Sequence, residues 1–231
     1  MSNYILNIET STKACSVALF SSGKLISYKE SNTANFSHSE KLLNFISELI
    51  DSSEITLSDL NAVAVSMGPG SYTGLRIGVS TAKGLCFGLD IPLISVSTLE
   101  AMSSAMILKQ KADLYCPMID ARRMEVYSAI FDANNNQLRD IQADIIDGTS
   151  YKKELEKVMV FFGDGSEKVK EIIQNKNAIF ISNFYPSAKY MGILSYQKFM
   201  KSDFEDLAYF EPFYLKDFVA GKKANFFFYF F

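Results

Sequence analysis

Short apolar runs broken by turn residues open the chain. Residues 4–9 (Tyr-Ile-Leu-Asn-Ile-Glu), 14–20 (Ala-Cys-Ser-Val-Ala-Leu-Phe) and 25–30 (Leu-Ile-Ser-Tyr-Lys-Glu) read as strands, and Ser21-Ser22-Gly23-Lys24 joins the last two as a hairpin. The pattern then changes period. Ser37 and Glu40 form a capping box, and Leu42, Leu43, Ile46, Leu49 and Ile50 recur at helical spacing, so a helix is predicted over 38–52. A buried strand at 62–66, a glycine-rich turn and a helix over 72–89 follow without interruption. A helix over 97–109 connects this half of the chain to the next.

A looser second round starts near residue 114. Leu114–Asp120 is a strand, Ala121-Arg122-Arg123 a tight turn, Met124–Asp132 an alternating strand, Asn134-Asn135-Asn136 another turn, and a further strand covers about 138–146. After a short helix near 150–156, the strand from Val158 runs into Gly163-Asp164-Gly165, and Ser166 caps a helix reaching about residue 175. The predicted architecture is α/β, with two lobes built from a duplicated βββαβα unit. It resembles the actin-like, sugar-kinase-like and Hsp70-like (ASKHA) fold, in which two lobes flank a nucleotide cleft. The expected boundaries are a first lobe over 1–105, a second over 106–220, and an appended aromatic tail over 221–231 in which Phe226–Phe231 carries no charge. Fold alone does not fix a function.

Composition narrows the setting. With 48% hydrophobic and 21% charged residues, the 231-residue chain is long enough for a sizeable core. A net charge of −3 gives no global attraction to nucleic acid, so any RNA is expected to be held with a partner's help. Cys15, Cys86 and Cys116 are widely spaced in apolar stretches and suggest neither a disulfide framework nor a zinc site, which fits a reducing cytoplasm. No membrane span or leader is predicted.

The glycine stretch between Ser66 and Gly78 carries the first candidate chemistry. Glycines allow a close backbone approach, and a helix start offers free N–H groups, so the turn is a candidate phosphate cradle. It matches neither common nucleotide loop: Gly78 is followed by Ala82-Lys83-Gly84 rather than by a Walker ending, and after Gly68 and Gly70 the third glycine comes one residue late, at Gly74. A plain strand-to-helix turn remains an equal reading. Candidate nucleotide- or phosphate-facing residues are Glu9, Thr10, Ser11, Gly68, Gly70, Ser71, Thr73, Gly74 and Arg76, with Arg122 as a further anion contact.

Three motifs together are similar to one family. Asn7–Leu19, Ser66–Gly78 and Ile119-Asp-Ala-Arg-Arg-Met-Glu-Val-Tyr127, with a Tyr214-Leu215-Lys216 ending, closely resemble the TsaB (YeaZ) family. The resemblance implies a non-catalytic subunit of the bacterial machinery that attaches a threonylcarbamoyl group to the adenosine beside the tRNA anticodon. It implies pairing with the catalytic paralogue TsaD, a third subunit TsaE that is an ATPase, and tRNA reached only through the complex. It also implies that the chain can pair with itself. No cofactor is expected to bind tightly, and ATP or ADP is expected either in this chain's own cleft or at the shared interface of the complex. TsaD holds its metal with two histidines one helical turn apart; here the comparable stretch is His38-Ser-Glu-Lys-Leu42, Leu42 cannot ligate, and His38 is the only histidine. No metal or catalytic residue is therefore assigned, and His38 reads as a capping or packing residue. Glu9, Asp120 and Glu125 are carboxylates that nothing local raises to an acid–base role.

Glycines inside the 72–89 helix favour partnering. Gly74, Gly78 and Ala82 form one smooth stripe and Ser80, Gly84 and Gly88 another, so one can face the chain's own sheet and the other a partner. The family resemblance places the partner interface on the two helices, at Leu42, Leu43, Ile46, Leu49, Leu75, Gly78, Val79 and Ala82, and Ile46→Asp is expected to break pairing while leaving the monomer folded. Burial of both helices in one core is the competing structural reading. The competing functions are an ATP-dependent phosphotransferase of the sugar-kinase type, a peptidase-related protein disfavoured by the single histidine, and a protein that only self-associates.

Overall fold

The computed structural model describes residues 2–32 and 38–216. Ser37, half of the expected capping box, and the aromatic tail at 221–231 lie outside the described residues. The first half runs β1 (Tyr4–Glu9), β2 (Cys15–Ser21), β3 (Lys24–Ser31), α1 (His38–Asp51), β4 (Leu60–Gly68), α2 (Tyr72–Leu89), β5 (Leu93–Ser97) and α3 (Thr98–Ile107). The second runs β6 (Leu114–Asp120), β7 (Glu125–Asp132), β8 (Gln137–Ile145), β9 (Met159–Phe162), α4 (Ser166–Lys170), β10 (Ala178–Ile181) and α5 (Gly192–Met200).

The sheets repeat one topology. Their strand orders are β3-β2-β1-β4-β5 and β8-β7-β6-β9-β10. In each, the first two pairings of the unit are antiparallel and the next two parallel. The central strands β1, β4, β6 and β9 are buried almost throughout, as strands covered on both faces must be. The edge strand β3 alternates exposed with half-buried positions and carries Lys24 and Lys29, which blunt an otherwise open edge. The duplicated α/β architecture read from the sequence is therefore the one observed.

Three local expectations are corrected. The 150–156 region forms turns and a single 3-10 turn at Glu154–Glu156 rather than a helix, and α4 stops at Lys170 because the chain turns at Ile172 and Ile173. β10 and α5 complete the second unit beyond the elements expected from the sequence. The 105/106 division also does not separate the packing. Leu99, Met102 and Met106 of α3 join Tyr115, Phe131 and Phe162 in one cluster, so α3 covers the second sheet. Conversely, Ala188 and Met191, ahead of α5, pack with Ile5, Phe20, Ala62 and Ile94 of the first sheet.

Candidate functional site

The turn between β1 and β2 and the glycine turn after β4 meet face to face. Ser71 N–H donates to Ser11 C=O at 2.6 Å, and Thr10 Oγ1 donates to Gly74 C=O at 2.8 Å. Side chains at the glycines would collide with this partner: a Cβ at Gly70 would sit 2.2 Å from Ser11 O, at Gly74 2.2 Å from Thr10 O, and at Gly78 2.2 Å from Thr10 Oγ1. Gly68 has φ of +109°, a backbone that L side chains rarely adopt, and Gly163 after β9 repeats it at +106°. These glycines let α2 start against the neighbouring turn.

This geometry revises the phosphate-facing set. Glu9, Thr10 and Ser11 are buried, at 1%, 0% and 0% exposure, and Gly68 and Gly74 are buried with them. Two of the donors that an anion would use are taken within the chain: Ser71 N–H by Ser11 C=O, and Gly74 N–H by the Ser71 hydroxyl at 3.2 Å. Glu9 Oε1 accepts from Ser11 N–H at 2.6 Å and from Ser66 Oγ at 2.9 Å, and burial pushes its carboxyl above the ordinary value of 4.5. Ser66 is the partner that the sequence reading missed. Only Ser71, Thr73 and Arg76 of the set are exposed, with Gly70 intermediate. A cavity of 340 Å³ lies elsewhere, against Phe20, Leu108, Tyr190 and Ile193, and no candidate residue lines it. His38 Nε2 lies 3.3 Å from Ala14 C=O, tying the start of α1 to β2. Among the described residues, no three His, Cys, Asp and Glu side chains gather as metal ligands.

The interface set divides between two faces. Leu42, Ile46 and Leu49 of α1 and Leu75, Gly78, Val79 and Ala82 of α2 point inward, and all except Leu75 and Gly78 join one core cluster with the β1 and β4 side chains. Ile46 is 5% exposed, so Ile46→Asp would strike the core, contrary to expectation. Of the set only Leu43 is open, at 60% exposure. The outward stripe of α2 instead carries Thr73, Arg76, Ser80, Gly84 and Phe87, at steps of three and four. Phe87 is 83% exposed, and a Cβ at Gly84 or Gly88 would meet nothing within 4 Å among the described residues. Periodicity alone identified both glycine stripes; the sheet decides which one is free.

The segment after α5 crosses this helix. Lys83 Nζ donates to Ala208 C=O and Phe210 C=O at 3.1 and 3.2 Å, and Phe213 N–H donates to Met67 C=O at 2.7 Å. Arg76 Nε donates to the Tyr214 hydroxyl at 3.4 Å, its guanidinium 4.2 Å from the Tyr72 ring centre, while Tyr72 and Tyr214 lie 4.8 Å apart. Lys216 then pairs with Glu125 of β7, linking the segment to the second lobe.

The β6–β7 turn is held differently. Arg122 and Arg123 have φ of +69° and +49°, a left-handed conformation that costs about 1–2 kcal/mol for each such residue. The turn is fixed by Arg122 N–H to Asp120 Oδ1 at 3.0 Å, Ala121 N–H to Glu125 C=O at 3.1 Å, and Lys168 Nζ to Arg123 and Glu125 C=O, both at 2.7 Å.

The comparisons with known proteins agree with this architecture. A family model described as TsaD, tRNA N6-adenosine threonylcarbamoyltransferase, matches residues 32–224. The tRNA threonylcarbamoyladenosine biosynthesis protein TsaB of Escherichia coli (strain K12) is 31% identical over 226 residues, covering 95% of this chain and 97% of the relative. Its namesake in Bacillus subtilis (strain 168) is 31% identical over 179 residues, or 74% and 75% of the two chains. YeaZ from Pseudomonas aeruginosa superposes with a TM-score of 0.77 at 25% identity, over 92% of this chain and 100% of that one. With the duplicated sheets, the sealed glycine turn and the full-length likeness all in agreement, the chain belongs to the TsaB (YeaZ) family.

Proposed function

We propose that the chain acts in tRNA threonylcarbamoyladenosine biosynthesis as a non-catalytic cytoplasmic subunit, pairing with a TsaD-type catalytic paralogue, with TsaE joining the pair. The observation that carries this reading is the outward stripe of α2. Each glycine inside a helix costs about 1 kcal/mol relative to alanine. Gly78 recovers that through close packing on Thr10, whereas among the described residues nothing lies within 4 Å of a Cβ placed at Gly84 or Gly88. A partner helix lying on the Ser80-Gly84-Gly88 bed beside exposed Phe87, with Leu43 at the flank, would recover it.

The non-catalytic part of the reading is supported by the sealing of Glu9 and by the single histidine. In this reading ATP or ADP belongs at the interface shared with the partner, since the chain's own glycine turn spends the Ser71 and Gly74 N–H groups internally. No helix among the described residues is long and apolar enough to cross a membrane. The test is reconstitution with the cognate TsaD, TsaE, ATP, threonylcarbamoyl-AMP and tRNA. Phe87→Asp should abolish co-purification with TsaD and tRNA modification while leaving the urea midpoint unchanged. Normal pairing and modification by that variant would overturn the proposal.

A further inference from the structure

The Arg122–Arg123 turn is the feature that the partner reading leaves unused. Both side chains are exposed, and among the described residues neither guanidinium takes part in an ion pair or a hydrogen bond. The surrounding acids are already engaged. Asp120 pairs with Lys168 and also accepts the Arg122 amide, and Glu125 pairs with Lys216. Asp164 turns toward the backbone, where Oδ1 accepts the Asp120 N–H at 3.1 Å. Asp120 and Glu125 are thus each matched by a lysine, while Arg122 and Arg123 have no ion-pair partner among the described residues, on a chain whose net charge is −3.

The turn is also rigid. Lys168 donates to two of its carbonyls, and the Asp120 carboxylate accepts the Arg122 N–H. Two successive non-glycine residues occupy the left-handed region, where glycine or asparagine would fit the backbone more comfortably. Arginine suits such a place when its planar donor fork must be presented to a phosphate.

We propose that the β6–β7 turn is a phosphodiester-contacting element, in which Arg122 and Arg123 bind the sugar–phosphate backbone of the RNA on which the complex works. The proposal deepens the reading above and takes the identity of the polymer from it. It adds a direct RNA contact by this chain, in place of access only through the partner. The contact is to backbone and carries no base specificity by itself.

The test is a fluorescence-anisotropy titration of an unmodified tRNA transcript between 50 and 200 mM salt. It is run with the full chain alone and with the chain co-purified with its TsaD paralogue. In the preparation that binds, R122Q/R123Q should weaken binding about tenfold and reduce the slope of log affinity against log salt by about 1.8, or about 0.9 for each lost phosphate contact. R122G/R123G should lose as much affinity while melting at a higher temperature than the wild type, because glycine relieves the backbone. Wild-type affinity and slope in either variant, absence of tRNA binding in both preparations, or equal affinity for poly-glutamate would each overturn the RNA assignment. Pairing is scored separately by co-purification. A variant that still pairs but binds tRNA normally sinks this inference alone; a wild-type chain that binds tRNA through these arginines but never co-purifies with TsaD sinks the partner reading alone.

Discussion

The same substitution on the same helix should have opposite effects at Gly78 and Gly84. An alanine methyl at Gly78 would lie 2.2 Å from Thr10 Oγ1, a buried hydroxyl whose bond to Gly74 C=O is 2.8 Å long. Thr10 must rotate and lose that bond, at about 0.5–1.5 kcal/mol, and the overpacked turn costs about 1–3 kcal/mol more. The helix gains about 1 kcal/mol from alanine in return, so Gly78→Ala should destabilise by about 1–3 kcal/mol. Around Gly84 no described residue comes within 4 Å of the added methyl, and only the gain of about 1 kcal/mol remains. The two variants should differ by about 2–4 kcal/mol, with thermal midpoints about 4–16 °C apart at about 2–4 °C per kcal/mol for a chain of this size. Urea titrations of both variants and the wild type, with a common m-value, measure this directly. If Gly78→Ala stabilises the chain, or both variants move the same way, the close approach of α2 to the β1–β2 turn is wrong.

The α1 face gives a second contrast. Ile46→Asp should destabilise by about 3 kcal/mol or more, whereas Leu43→Asp should stay within about 0.5 kcal/mol, as read by urea midpoints; similar losses would mean that α1 is oriented otherwise. Glu9 is held above its ordinary 4.5, so the wild type should be most favoured below that pH and lose stability as pH rises through the folded value. Glu9→Gln, which keeps an acceptor for Ser11 and Ser66, should remove that loss and be the more stable protein at neutral pH; parallel pH profiles would argue against a sealed carboxyl. Burial pushes the thiols of Cys15 and Cys86 up to about 11 and that of Cys116 to about 12. A disulfide reagent should therefore titrate none of the three in the native chain and all of them in denaturant, and a fast native reaction would contradict this.

Elements with strong periodicity were legible in the sequence, and those defined by distant partners were not. The α1 and α2 patterns and the apolar runs of β1, β2 and β4 sit within one to three residues of the structure's elements. By contrast β10 has four residues, all half-buried, and so offers no alternation to read. α5 begins without a side-chain cap and drew no helix start signal. The role of the glycine turn depends on Thr10, which bonds to Gly74 across 64 residues, and no local spacing encodes that meeting. The interface set erred for a related reason. Gly74-Gly78-Ala82 and Ser80-Gly84-Gly88 are equivalent by spacing, and tertiary packing breaks the tie.

The crossing of α3 and of the segment before α5 means that neither half of the chain encloses its own interior. A break between Ile107 and Leu114 would leave α3 on the first fragment, with Leu99, Met102 and Met106 facing nothing. It would carry Ala188 and Met191 away on the second, baring Ile5, Ala62 and Ile94. The two fragments should aggregate when made separately and restore a soluble particle when made together. The molecule has the logic of a domain-swapped dimer whose two copies share one polypeptide, so that an association once set by concentration is set by covalent linkage.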